Sequence, residues 1–218
     1  MINELNKRIL TSIFLVSVLF FCLYYSGFYL ITFLILFYLI SNYELIANTR
    51  NLLFLFISNF FIILSLFSFY TLRGDSSSSL IVICWILSAT FLSDIGGFIF
   101  GKIFKGKKLT KISPNKTYSG SIGSVFLSCT SLIFLELAQK FLFEVNLINF
   151  YTFKYLFITI LISIICQLGD LYVSFCKRKI NIKNISNILP GHGGVLDRVD
   201  GLIFVLIFSF IINKIGYI

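Results

Sequence analysis

Four aspartates, Asp94, Asp170, Asp197 and Asp200, stand in or beside long apolar stretches of a 218-residue chain that has only nine acidic residues. A carboxylate in such a setting is costly to keep unless water, a cationic side chain or a metal ion meets it. Any one of them could simply pair with a nearby lysine. Four together, with glycine-rich turns beside them, point to a shared task. That task is the holding of hard divalent cations, which take carboxylate oxygens and keep several waters, as magnesium does when it also binds phosphates.

The stretch from Gly169 to Gly201 gathers three of these acids with five cations, the only histidine and one of the two prolines of the chain. On a helix, Asp170, Ser174, Lys177 and Arg178 fall at offsets of 0, 4, 7 and 8, so an acid, a hydroxyl and two cations share one stripe. Asp197 and Asp200 share a face if the last helix starts near Gly194. Between these groups, GHGG at Gly191 to Gly194 follows Pro190. Its amides can converge on an anion, as the amino end of a helix also favours negative charge. His192 either bonds a phosphate or orients its own loop. A second block, SPNKT at Ser113 to Thr117, offers a proline-fixed turn, two hydroxyls and Lys116, again suited to phosphate. The approaching Lys105, Lys107, Lys108 and Lys111 read either as further phosphate contacts or as a membrane-surface patch. Walker, dinucleotide-binding and nucleophile-elbow fingerprints are absent.

These residues must be carried by membrane helices. A chain that is 58% hydrophobic and 12% charged cannot hide its apolar surface in one water-soluble core. Apolar runs lie at about Ile9 to Ile40, Leu52 to Leu72, Leu80 to Phe100, Ile122 to Leu137, Phe153 to Phe175 and Leu202 to Ile212. The first is too long for one crossing of a roughly 30 Å hydrocarbon layer, so it is expected to fold back near Tyr24, Ser26 and Gly27. The expected fold is an all-α polytopic membrane protein of about seven transmembrane helices, within a range of six to nine. Lys7 and Arg8 ahead of an apolar run could suggest a removable signal peptide, but no small-residue cleavage site follows and the first helix is expected to stay.

Seven crossings with the amino end cytoplasmic put Lys7, Arg8, Arg50, six lysines from Lys102 to Lys116, Lys177, Arg178, Lys179, Lys183 and Arg198 on one side. Only Arg73, Lys140, Lys154 and Lys214 lie opposite, the asymmetry that the positive-inside rule describes. The polar site is thereby expected at the cytoplasmic side. The net charge of +9 lies in short loops, so anionic lipid headgroups and nucleotide phosphates are expected partners and nucleic acid is not. Cys22, Cys84, Cys129, Cys166 and Cys176 form no C-x-x-C pair and read as small core hydrophobes. One domain over residues 1–218 is expected, with helices of residues 1–75 for packing, lipid contact or dimerisation and residues 80–218 carrying the chemistry. RGDSSSS, Arg73 to Ser79, reads as a flexible surface turn, and Glu44 as an interfacial carboxylate in water.

Taken together, Ser174-x-x-Lys177-Arg178, Lys183 and the run Leu189-Pro190-Gly191-His192-Gly193-Gly194-Val195-Leu196-Asp197-Arg198-Val199-Asp200 resemble the signature of the phosphatidate cytidylyltransferases, or CDP-diacylglycerol synthases. The upstream D-x-x-G-F-x-x-G-K segment from Asp94 to Lys102, followed by S-P-N-K-T, resembles a second block of the same family. The two blocks cover about a third of the chain. The resemblance implies transfer of a cytidylyl group from CTP to phosphatidic acid, giving CDP-diacylglycerol and pyrophosphate for phospholipid biosynthesis, and the short, compact chain is expected in the bacterial inner membrane. It implies magnesium on Asp170 and Asp197, with Asp200 and Asp94 completing the shell, and leaves a second metal ion and a homodimer open. Asp170, Asp197, Lys177 and Arg178 would be catalytic. Ser113, Lys116, Thr117, Ser174, Lys183, His192, Gly193, Gly194 and Arg198 would bind substrate.

The chain departs from the family pattern at Val173, where a glutamate is usual, at Asn184 in place of aspartate, at Cys176 in place of a larger apolar residue, and at Ser119 in place of glutamate. Lost negative charge leaves a catalytically inactive relative as one other reading. A CDP-alcohol phosphotransferase would carry D-G-x-x-A-R, which this chain lacks. A membrane transporter would spread its acids through the membrane depth or break helices in paired halves.

Overall fold

In the computed structural model, which describes residues 2–110, 113, 116–143, 148–180, 182, 185–186 and 193–217, the chain is an all-helical bundle. Its helices are α1 (Ile2–Tyr25), α2 (Gly27–Asn48), α3 (Leu52–Arg73), α4 (Ser77–Phe104), α5 (Tyr118–Phe143), α6 (Phe153–Lys179) and α7 (Leu196–Lys214). Helices α2 to α6 are long and apolar enough to cross a membrane; the apolar part of α1, Thr11–Tyr25, is shorter. The outer surfaces carry side chains such as Phe28, Phe56 and Phe153, each more than 70% exposed, as expected of an integral membrane protein.

The long first apolar run breaks where expected. Ser26 and Gly27 take φ of 53° and 49°, a left-handed step that ends α1 and starts α2. A buried cation secures the break: Arg73, at the end of α3, donates from Nε to the Leu23 carbonyl at 2.6 Å and from a terminal nitrogen to the Tyr24 carbonyl at 3.4 Å. Those carbonyls belong to the last turn of α1, which lacks helical partners of its own. The serine run after Arg73 is largely not a loose turn. Ser76 caps α4 by accepting from the Ser79 amide at 3.0 Å, and Ser77 to Ser79 form the first helical turn.

Helix α4 packs most extensively on α5, and glycines set the distance. A Cβ at Gly97 would lie 2.8 Å from Ser124 Oγ, and one at Gly120 would lie 2.7 Å from the Gly97 carbonyl oxygen. Small residues permit such close approach where lipid supplies no hydrophobic drive between helices. Across the bundle interior, Trp85 of α4 donates to Thr159 of α6 at 3.1 Å, and Ser93 bonds Ser163 at 2.8 Å. These pairs fix α4 against α6 beside the first polar cluster described below, Ser93 directly preceding Asp94 and Ser163 standing three residues before Cys166. Helix α7 packs on α6 and α3.

Candidate functional site

Helices α4 and α6 bring two carboxylates and a thiol together. Among the described residues, Asp94, Cys166 and Asp170 have ligand atoms all within 4.8 Å of one another. Cys166 Sγ lies 3.4 Å from Asp94 Oδ1, so this cysteine faces the acids and is more than a core filler. Lys116, from the SPNKT block, reaches Asp170 Oδ2 at 3.1 Å and the Gln167 carbonyl at 3.5 Å. Gln167 is held in turn by the Ser121 hydroxyl at the start of α5. Within the group Cys166 is buried, Asp170 half-buried and Asp94 exposed, and Asp170 is nine residues before the end of α6, about 14 Å along a helix.

Helix α7 meets this group through Gly201. A Cβ there would lie 2.6 Å from Asp170 Oδ1 and 2.9 Å from the Cys166 carbonyl oxygen, so only glycine lets α7 pass so close to the acid. One residue earlier, Asp200 stands beside Asp170. Lys177 then links Asp200 to Asp197, its ammonium lying 3.3 Å from Asp200 Oδ2 and 2.9 Å from Asp197 Oδ1. The lysine side chain is 8% exposed and the two aspartates 16% and 18%, so this triad sits largely out of water. Its charges compensate one another there.

The expected stripe on α6 is only partly gathered. Lys177 turns inward, Asp170 and Ser174 are half-buried, and Arg178 is exposed, as is Arg198 on α7. Asp197 and Asp200 share a face, as expected for a helix that starts at Leu196. Asp197 is not in the tight group with Asp170. Its Oδ1 is taken by Lys177 and its Oδ2 accepts the Ile185 amide at 2.9 Å. Among the described residues the tight carboxylate pair is therefore Asp94 and Asp170, with Asp200 alongside. The reason is that α4 and α6 approach through Ser93 and Ser163, whereas Asp197 lies at the edge of α7 against the loop.

In the SPNKT block, Ser113 and Lys116 close a turn, the Lys116 amide donating to the Ser113 carbonyl at 3.1 Å. Thr117 caps α5: its hydroxyl accepts the Gly120 amide at 3.1 Å. That use competes with the phosphate contact expected of it. Lys105, Lys107 and Lys108 are exposed. Gly193 has φ of 89°, which favours glycine, and Gly194 is buried beside Asp197. Lys183, His192, Lys111, Asn184 and the first half of the GHGG run lie outside the described residues.

Glu44 departs most from expectation. It is fully buried, and accepts from the Ser186 hydroxyl at 2.6 Å, the Val195 amide at 2.8 Å and the Leu196 amide at 3.1 Å. The desolvated carboxylate is offset by three donors that all come from the far end of the chain. These bonds, with those of Lys116 and Lys177, bring the ends of α2 and α6 and the starts of α5 and α7 to one end of the bundle.

As for a metal, the donor set suits a hard cation through its carboxylate oxygens, while the Cys166 thiol is a soft donor that magnesium would leave aside. An apolar groove of about 1070 Å³ opens between α5 and α6, lined from Ser121 and Val125 to Phe153 and Leu156. Its polar end is thus the serine that holds Gln167 beside Lys116 and Asp170.

The model of the cytidylyltransferase family matches residues 47–215, and the chain belongs to that family. Similar proteins include the phosphatidate cytidylyltransferase of Helicobacter pylori (strain ATCC 700392 / 26695), 38% identical over 124 residues that make up 57% of this chain and 44% of that one. That of Staphylococcus haemolyticus is 40% identical over 139 residues, 63% of this chain and 50% of the relative. That of Rickettsia conorii is 40% identical over 124 residues, 55% and 52%. The chain spans about half the length of the curated relatives it matches.

Proposed function

We propose that this protein is a magnesium-dependent phosphatidate cytidylyltransferase, making CDP-diacylglycerol and pyrophosphate from CTP and phosphatidic acid. The observation that carries the reading is the convergence of Asp94 and Asp170 beside Lys116, within a membrane bundle of the cytidylyltransferase family. The names of the similar proteins support the substrate pair.

The reaction forms a bond from a phosphatidate phosphate oxygen to the α-phosphorus of CTP and breaks the bond from that phosphorus to the bridging oxygen of pyrophosphate. No protein nucleophile is needed, because phosphoryl-type transfer rests on positioning and charge neutralisation. The phosphatidate phosphate is already anionic near neutral pH, so no strong base is needed either. Magnesium, held by Asp94 and Asp170 with Asp200 beside them, would neutralise charge on the triphosphate and the leaving pyrophosphate. Lys116 orients Asp170 and offers its ammonium to a phosphate. Lys177 keeps Asp197 and Asp200 in register. The exposed Arg178 and Arg198, with Lys183, Ser113, Ser174, His192 and the Gly193 and Gly194 amides, would receive the phosphates. The groove between α5 and α6 would take an acyl chain, its polar end leaving the phosphate near Lys116.

On this reading residues 1–218 form one membrane domain, with residues 80–218 carrying the chemistry. The cation asymmetry supports a cytoplasmic amino end and a site opening to the cytoplasm, and the bacterial relatives suit residence in an inner bacterial membrane. The test is synthesis by purified protein in detergent. Product from CTP and phosphatidic acid with magnesium supports the reading, and none over a substrate-free control refutes it.

A further inference from the structure

We propose that Glu44 is a positioning residue for this site, acting from outside the family-matched region by clamping the entry to α7. The activity arm of the proposal rests on the cytidylyltransferase reading; the clamp itself does not.

A helix leaves its first amides without intrahelical partners, and a carboxylate placed there also interacts favourably with the helix dipole. In α7 the local sequence supplies no such acceptor, since the N-cap residue is Val195 and makes no side-chain cap bond. Glu44 supplies it from α2, a separation of 151 residues, accepting the Val195 and Leu196 amides at 2.8 and 3.1 Å. The same carboxylate takes the Ser186 hydroxyl at 2.6 Å. One side chain therefore pins both ends of the segment from Ser186 to Val195.

That segment is flanked by the site. Ile185, next to Ser186, donates its amide to Asp197, and Asp197 is two residues past Val195. Releasing Glu44 removes the bonds to Ser186 and to the start of α7 together, and with them loosens the register of Asp197 and Asp200 on Lys177. Chemistry selects glutamate here. An ionised carboxylate is acceptor-only and can meet three donors, whereas a glutamine would turn an NH₂ group toward an N–H or hydroxyl donor. The aspartate is a methylene too short to span from α2.

The experiment compares full-length Glu44→Gln, Glu44→Asp and Ser186→Ala with Glu136→Gln in detergent. Glu136 is a similarly buried carboxylate that accepts the Phe150 amide at 2.9 Å, toward the opposite end of α5 from Ser121. Amide hydrogen exchange and kcat/KM for CTP are measured beside melting temperature. The expected result is exchange at Val195 and Leu196 at least tenfold faster in Glu44→Gln, with α4 and α5 unchanged. kcat/KM falls about tenfold in both Glu44 variants and about threefold in Ser186→Ala. Glu136→Gln, though lower in melting temperature, stays within twofold of the parent. Unchanged exchange at Val195 and Leu196 overturns the clamp. Activity losses no greater in the Glu44 variants than in Glu136→Gln at equal loss of melting temperature overturn the positioning role. A parent protein that makes no CDP-diacylglycerol overturns the activity reading instead, and exchange alone then decides the clamp.

Discussion

Asp94 of α4 and Asp170 of α6 present their ligand atoms within 4.8 Å of one another, Asp94 exposed and Asp170 half-buried, so that two like charges stand close together. Lys116 meets one of the pair at 3.1 Å. On the proposed reading a divalent cation would relieve the repulsion that remains beside that lysine.

The Asp94→Asn and Asp170→Asn variants should therefore both raise the magnesium concentration for half-maximal activity. The shift should be about 100-fold, at or above the upper end of what loss of an outer-shell partner costs. Asp197→Asn, outside the tight group, should shift it far less while lowering kcat. A magnesium titration of the three variants checks this.

Lys177 meets two partly buried carboxylates at once. Lys177→Met should destabilise the protein by about 3–5 kcal/mol, the usual cost of removing one partner from a buried ionic group. Adding Asp197→Asn and Asp200→Asn should restore part of that stability. Denaturant unfolding in detergent of the single, double and triple variants measures the non-additivity.

Gly201→Ala should damage the site without touching its polar groups. A methyl 2.6 Å from Asp170 Oδ1 forces α7 away from α6. The overpacking should cost about 1–3 kcal/mol and a disproportionate share of kcat. Unfolding and steady-state rates on the same preparation separate the two effects.

Thr117 serves the start of α5, so Thr117→Ala should lose about 1 kcal/mol of stability, as other lost N-caps do. KM for CTP should stay near the parent value, and Thr117→Ser should recover the stability. A KM rise without loss of stability would return Thr117 to phosphate binding.

The sequence makes some of this legible for definite reasons. The break at Ser26 and Gly27 follows from the length of the apolar run against the thickness of a bilayer, and the start of α7 from the glycine run before Leu196. The proximity of Lys177 to Asp197 and Asp200 follows from helical spacing once α6 and α7 are adjacent. Glu44 could not be read in this way, because its donors lie at Ser186, Val195 and Leu196 and no local period links them. Its flanks, tyrosine before and leucine and isoleucine after, were the one available sign that it does not face water. The closeness of Asp94 to Asp170 depends on the glycine contacts that set α4 against α5 and the serine pair that sets it against α6. Pairings across helices of that kind are tertiary and carry no signature along the chain.

The most direct measurement is the magnesium dependence of CDP-diacylglycerol synthesis by the purified parent and by Asp170→Asn, each shown to be folded by its unfolding transition. Synthesis by the parent that stops on chelation of magnesium and returns on its addition, with at least a hundredfold loss in Asp170→Asn, is the result expected of a cation held between Asp94 and Asp170. Synthesis undiminished by chelation, or by the Asp170→Asn change, contradicts it.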